Sequence, residues 1–198
     1  MSNNFEQAQD AESQQKSDWQ SISSGLSGAL DSFALRARRR RQIWSAFAIF
    51  MLINMADQLT KQIARTKLLP FTELSYFGGL VRFHHSENPG AFLSLGAQFG
   101  AGLRHGIFTG LVMVFLIWAT WMLLRKAGRA NHSFIVGWAL LIAGGFGNVI
   151  DRVAKQTVTD FMIVGTGSIQ TGVFNIADMA IMLGILIVLF FGRENSAT

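Results

Sequence analysis

The chain has 198 residues, half of them hydrophobic and only 15% charged, with a mean hydropathy of +0.32, oilier than a soluble domain needs. It has no cysteine, which excludes disulfides, thiolate nucleophiles, zinc–thiolate centres and lipidation on cysteine. The net charge of +5 does not point to nucleic acid, because five arginines crowd into residues 36–41, directly before an apolar run, where they read as a membrane-topology signal.

Residues 1–35 are rich in Ser, Gln, Asn and acidic side chains and bury too little apolar area to offset their ordering entropy. That composition predicts a disordered cytoplasmic tail ahead of a membrane domain at 36–198. A short amphipathic piece at 26–35, leading into the arginines, is suited to a membrane surface. Four stretches then approach the roughly 20 apolar residues that cross about 30 Å of hydrocarbon: 42–63, 106–124, 134–153 and 174–191. The first comes after a long polar segment, contains Asp57 and lacks a small-residue cleavage site, so it is expected to stay as a span rather than leave as a signal peptide.

Cations set the orientation. Those at 36–41, Arg125, Lys126, Arg129 and Arg193 fall on one side of this four-span arrangement, which places both termini in the cytoplasm. The first outer loop contains SYFGGLVRFHH, strand-like in its aromatic and β-branched residues, then ENPGAFLSLGAQFG, with Pro89 and glycines enforcing turns. The second outer loop contains the strand-like TVTDFMIV. The expected fold class is mainly α, a polytopic membrane protein of four transmembrane helices with a small extracytoplasmic β-sheet.

Polar groups gather at the outer ends of these spans. Span one brings Asp57 and Lys61, span three ends in Asn148, Asp151 and Arg152, and span four opens with Asn175 and Asp178. Ionisable residues inside a membrane usually face a bundle interior or a wet cavity, so their convergence predicts a polar pocket. Asp57 and Lys61, at i and i+4 with the acid first, are placed to pair. Snorkelling to the interface accounts for Lys61, Arg65 and Lys155 as the blander reading, but less well for Asp178, which has no cation in FNIADMAIM.

DQLTK at 57–61, ENPGAFLSLG at 87–96, GGFGNVIDR at 144–152, VTDF at 158–161 and FNIAD at 174–178 resemble, in order and spacing, the lipoprotein signal peptidases, or signal peptidase II. The resemblance covers roughly residues 43–192. It implies a bacterial inner-membrane aspartic endopeptidase that cuts the signal peptide just before a diacylglyceryl-modified cysteine, with a small sheet cradling the substrate, no metal or other cofactor, and inhibition by globomycin. NPGAFLS departs from the family's usual Asn-x-Gly-Ala-Ala-Phe-Ser, with Phe92 and Leu93 in place of Ala and Phe.

Two carboxylates can hydrolyse a peptide if one takes a proton from water while the other, protonated, bonds the carbonyl oxygen. Asp178 is one member. Asp151 has Arg152 beside it, and a guanidinium tends to keep a carboxylate ionised, whereas Asp160 sits in an apolar strand where desolvation favours sharing a proton. The resemblance agrees, matching Asp160 and Asp178 to the catalytic pair. It also matches Asn88 to a substrate-contacting asparagine, with Gly90, Asn148, Arg152 and Asn175 expected at the substrate. Asp57, Lys61 and Asp151 form a supporting set. Asn175 is also placed to cap span four. Adjacent His84 and His85 point to opposite faces of a strand and are not expected to share a metal. The GGFG glycines are suited to close helix packing. Expected partners are diacylglyceryl-prolipoproteins and membrane lipids, with the chain a monomer. A small proton-coupled transporter and a non-catalytic lipoprotein-binding relative remain as alternatives.

Overall fold

In the computed structural model, which describes residues 2–68, 73–89 and 101–192, four helices carry a four-stranded sheet at one end. Helix α1 (Ser2–Lys67) leads into β1 (Glu73–Tyr76), a 3-10 turn and β2 (Val81–Asn88); α2 (Ala101–Lys126) and α3 (His132–Lys155) come next, then β3 (Val158–Thr166), β4 (Ile169–Gln170) and α4 (Ile176–Phe191). Among the described residues three helices are long and apolar enough to cross a membrane. The fourth, α4, has 16 residues and rises about 24 Å, short of the roughly 30 Å of hydrocarbon.

Helix α1 begins at Ser2 and runs through the polar amino-terminal segment. Its Gln, Ala, Glu and Ser residues tolerate a helix, and serine hydroxyls at Ser17, Ser21, Ser24 and Ser27 bond back to carbonyls three residues earlier. Trp19, Ile22, Leu26, Leu30 and Phe33 are all exposed along it.

Helix α3 is the hub, packed against the other three helices. Its GGFG segment explains how. A Cβ on Gly144 would fall 2.3 Å from the carbonyl oxygen of Ala177 in α4, and one on Gly147 would fall 2.8 Å from the Asp57 carboxylate of α1, so only glycine permits these approaches. Asn131 caps the start of α3 by accepting Phe134 N–H at 2.7 Å and reaches the Phe191 carbonyl at the end of α4. At the same end, buried Gln42 accepts from Gly128 N–H and donates to the Ala130 carbonyl, tying the α2–α3 loop to α1.

The sheet is antiparallel throughout, in the order β1-β2-β3-β4. Phe83 faces Met162 and Ser86 faces Asp160, so His84 and His85 stand opposite Phe161 alone, a bulge at the sheet's centre. Phe161 packs with Ala64 and Leu68, seating the sheet on the C-terminal end of α1. Phe174 exchanges backbone hydrogen bonds of 2.9 Å with Met162, which brings the start of α4 alongside β3.

Candidate active site

Pinning Phe174 to β3 fixes the position of Asn175, the N-cap of α4. Its side-chain oxygen accepts Asp178 N–H at 3.0 Å, and the Asp178 carboxylate accepts Asn175 N–H at 3.2 Å, a reciprocal capping box. With its oxygen so committed, the Asn175 amide nitrogen must face the other way. It meets Asp160 Oδ1 at 2.6 Å and Asn148 Oδ1 at 3.1 Å. Asn88 donates to the other Asp160 oxygen at 3.0 Å from the end of β2.

Asn148 is oriented from below. Its oxygen accepts from Lys61 Nζ at 3.1 Å, which turns its amide nitrogen to Asp178 Oδ1 at 2.8 Å. Lys61 is fully buried, so the snorkelling reading is corrected for it: the ammonium points into the bundle. Its three donors find three acceptors, Asp57 Oδ2 at 2.8 Å, Asp151 Oδ2 at 3.1 Å and Asn148. Asp57 also accepts Ala177 N–H in the first turn of α4, and Asp151 accepts Thr159 N–H of β3. One buried ion cluster thus joins α1, α3, β3 and α4.

Two further cations, Arg65 and Lys155, reach Asp151 Oδ1 at 3.4 Å from the rim. The Arg152 guanidinium lies in the field of Asp178, Asp160 and Asp151. Sequence reasoning missed Glu87 and Thr159. Glu87 accepts from Thr159 Oγ1 at 2.9 Å and from Thr157 Oγ1 at 2.5 Å, clasping β2 to β3 beside Asn88. Burial alone would raise the Glu87 carboxyl, but bonds from Thr157, His85 and Thr159 and the Lys155 charge outweigh it and hold it below the usual range. Only the ENPG spacing next to Asn88 hinted at this clasp.

Asp160 is 3% exposed. Burial pushes its carboxyl up to about 6; donation by Asn88 opposes this, the negative Asp178 adds to it, and Asn175 and Lys61 oppose it. Among the described residues no hydrogen bond joins Asp160 directly to Asp178; Asn175 spans the two. Gly90 lies outside the described residues. Among the described residues no cluster of His, Cys, Asp or Glu could hold a metal ion.

An apolar bundle capped by a small sheet, with carboxylates and amides held at the seam, defines a membrane-embedded protein with a candidate site at the helix ends. Residues 49–192 match the family described as signal peptidase (SPase) II. The chain is similar to the lipoprotein signal peptidases of Polynucleobacter necessarius (32% identity over 146 residues, 72% of this chain and 85% of that one) and Maridesulfovibrio salexigens (32% over 148 residues, 74% and 94%). Its fold is similar to a solved "Bacterial membrane enzyme structure by the in meso method at 1.9 A resolution", with a TM-score of 0.66, 25% identity and coverage of 74% of this chain and 91% of that one. The chain belongs to the signal peptidase II family. It is a peptidase of the bacterial inner membrane.

Proposed function

We propose that this peptidase is of the aspartic type, that it removes signal peptides from diacylglyceryl-modified prolipoproteins by cutting before the lipidated cysteine, and that Asp160 and Asp178 are its catalytic pair. The observation that carries this reading is the placement of two carboxyls, one on β3 and one in the first turn of α4, on either side of Asn175. The relatives' printed name, lipoprotein signal peptidase, supports the substrate class.

The two carboxyls have different surroundings and suit different roles. Asp178 receives amide donors from Asn148 and Asn175 at a helix N-terminus, which suits the ionised base that takes a proton from the attacking water. Asp160, buried and raised to about 6, suits the protonated partner that bonds the scissile carbonyl oxygen. Water adds to the carbonyl carbon as its proton passes to Asp178 and the Asp160 proton goes to the oxygen. Collapse of the tetrahedral intermediate returns a proton to Asp160 and delivers the Asp178 proton to the leaving amine.

In this reading Asn88 and Gly90 contact the extended substrate, Asn148, Arg152 and Asn175 hold the carboxylates and the peptide backbone, and Asp57, Lys61 and Asp151 hold the helices that carry them. The termini face the cytoplasm, the site lies near the outer leaflet, and the chain acts as a monomer among membrane lipids. Incubation with a diacylglyceryl lipobox peptide tests it: release of the signal peptide, blocked by globomycin, is expected. Intact peptide retained by the protein would favour a non-catalytic binder instead.

A further inference from the structure

Just before the apolar run of α1, a groove of about 560 Å³ opens along it, lined by Phe33, Arg36, Ala37, Arg40, Arg41 and Trp44. Successive turns of one helix place these residues side by side. Arg36, Arg40 and Arg41 make no ion pair or hydrogen bond with any described residue, so three cations line the groove with no anion among the described residues paired to them. Two aromatic rings also line it, with Phe33 73% and Trp44 61% exposed. Nothing in the hydrolytic site uses these residues.

The groove lies beside an apolar space. Trp44 packs edge-to-face on Phe47, with centroids 6.0 Å apart, and Phe47 lines an apolar space of about 630 Å³ between α1, α2 and α3 that also touches Phe50, Leu116, Ile142 and Phe146. A ligand seated here would therefore have its anionic part among arginines and its apolar part beside Trp44 and Phe47. We infer that the groove is a binding site for the phosphate-bearing headgroup of an anionic phospholipid, with an acyl chain leaving past the Trp44–Phe47 pair. Arginine forks match phosphate oxygens, and basic residues flanking a span draw anionic lipid. A second copy of the chain is disfavoured, since two copies in one membrane run parallel and would set arginine against arginine. The basic start of a signal peptide is repelled for the same reason.

Native mass spectrometry of the full chain, released from detergent with phosphatidylglycerol or phosphatidylethanolamine, tests this. Preferential retention of phosphatidylglycerol is expected, falling roughly fivefold for each arginine removed in going to Arg36→Gln/Arg40→Gln/Arg41→Gln, with peptide cleavage in detergent unchanged. Because neutralising these arginines can disturb membrane insertion, Arg36→Lys/Arg40→Lys/Arg41→Lys is the second variant, expected to keep part of the preference. Equal retention of both lipids by the unaltered chain, or a preference indifferent to both variants, would overturn the site. So would displacement of the lipid by millimolar inorganic phosphate alone, which would mark a site for free anions.

Discussion

Asn175 donates to Asp160 across 2.6 Å while the oxygen of the same amide accepts the backbone N–H of Asp178, so one side chain sets both the α4 cap and the position of the β3 carboxyl. The two duties are separable. Asn175→Ser keeps an N-cap acceptor but loses the donor to Asp160, so thermal stability should stay within about 0.5 kcal/mol of the parent while kcat falls roughly 10- to 100-fold. Asn175→Ala should lose about 1 kcal/mol of stability as well. Melting curves and initial rates on the same preparations distinguish these outcomes; equal kcat for the Ser variant and the parent would show that the bond to Asp160 is idle.

Lys61 neutralises two buried carboxylates at 2.8 and 3.1 Å, and removing one partner from such a cluster leaves charge stranded in the bundle. Lys61→Met should destabilise the protein by about 3–5 kcal/mol. Adding Asp57→Asn and Asp151→Asn should restore part of that loss, since the stranded charge is then gone. Chemical or thermal unfolding in detergent reads both; additive losses across the three substitutions would contradict a shared cluster.

The Asp160 carboxyl, raised by burial to about 6, makes two pH predictions. A group whose folded-state value lies above its unfolded value contributes stability that is fully present below about 3.8 and is lost as pH rises through about 6. The parent should therefore lose roughly 2 to 3 kcal/mol relative to Asp160→Asn between pH 4 and 7. In kcat/KM, deprotonation of Asp160 should appear as an alkaline limb starting near pH 6. Asn88→Ala removes a donor that favours the carboxylate, so that limb should move to higher pH. A limb that stays put or moves down would place the titrating group elsewhere.

Glycine substitutions test the hub role of α3. Gly144→Ala would drive a methyl to 2.3 Å from the Ala177 carbonyl, backbone that carries the α4 end of the site, so cleavage should fall by at least about 100-fold and the melting point should drop. Gly110→Ala in α2 meets nothing within 4 Å and should be neutral or stabilising by up to about 1 kcal/mol. Similar effects at the two positions would mean that the helices have room to slide.

Much of this arrangement is legible from residues because hydrocarbon penalises charge so heavily. Asp57, Asn148, Asp151 and Asp178 within apolar runs can only be reconciled with a shared polar interior, and the β-branched and aromatic residues of TVTDFMIV announce a strand that holds Asp160. The burial of Lys61 is harder to read. Its distance from the span's end suits snorkelling equally well, and only the approach of α3 through Gly147 encloses it. The Glu87–Thr159 clasp joins residues 72 apart in sequence that carry no periodic signal. The helical course of residues 2–35 is obscured because composition measures burial, and a helix can continue without any. The bulge at His84 and His85 depends on strand register, which neither histidine encodes.

Asp160→Asn and Asp178→Asn, purified in detergent and shown by melting to be folded, put the proposed catalytic pair to its most direct test against a diacylglyceryl lipobox peptide. Each variant should still bind the peptide and release none of its signal segment, a loss of at least about 10⁴-fold in rate. Cleavage at the parent's rate by either folded variant would contradict the assignment of these two carboxyls to the chemistry.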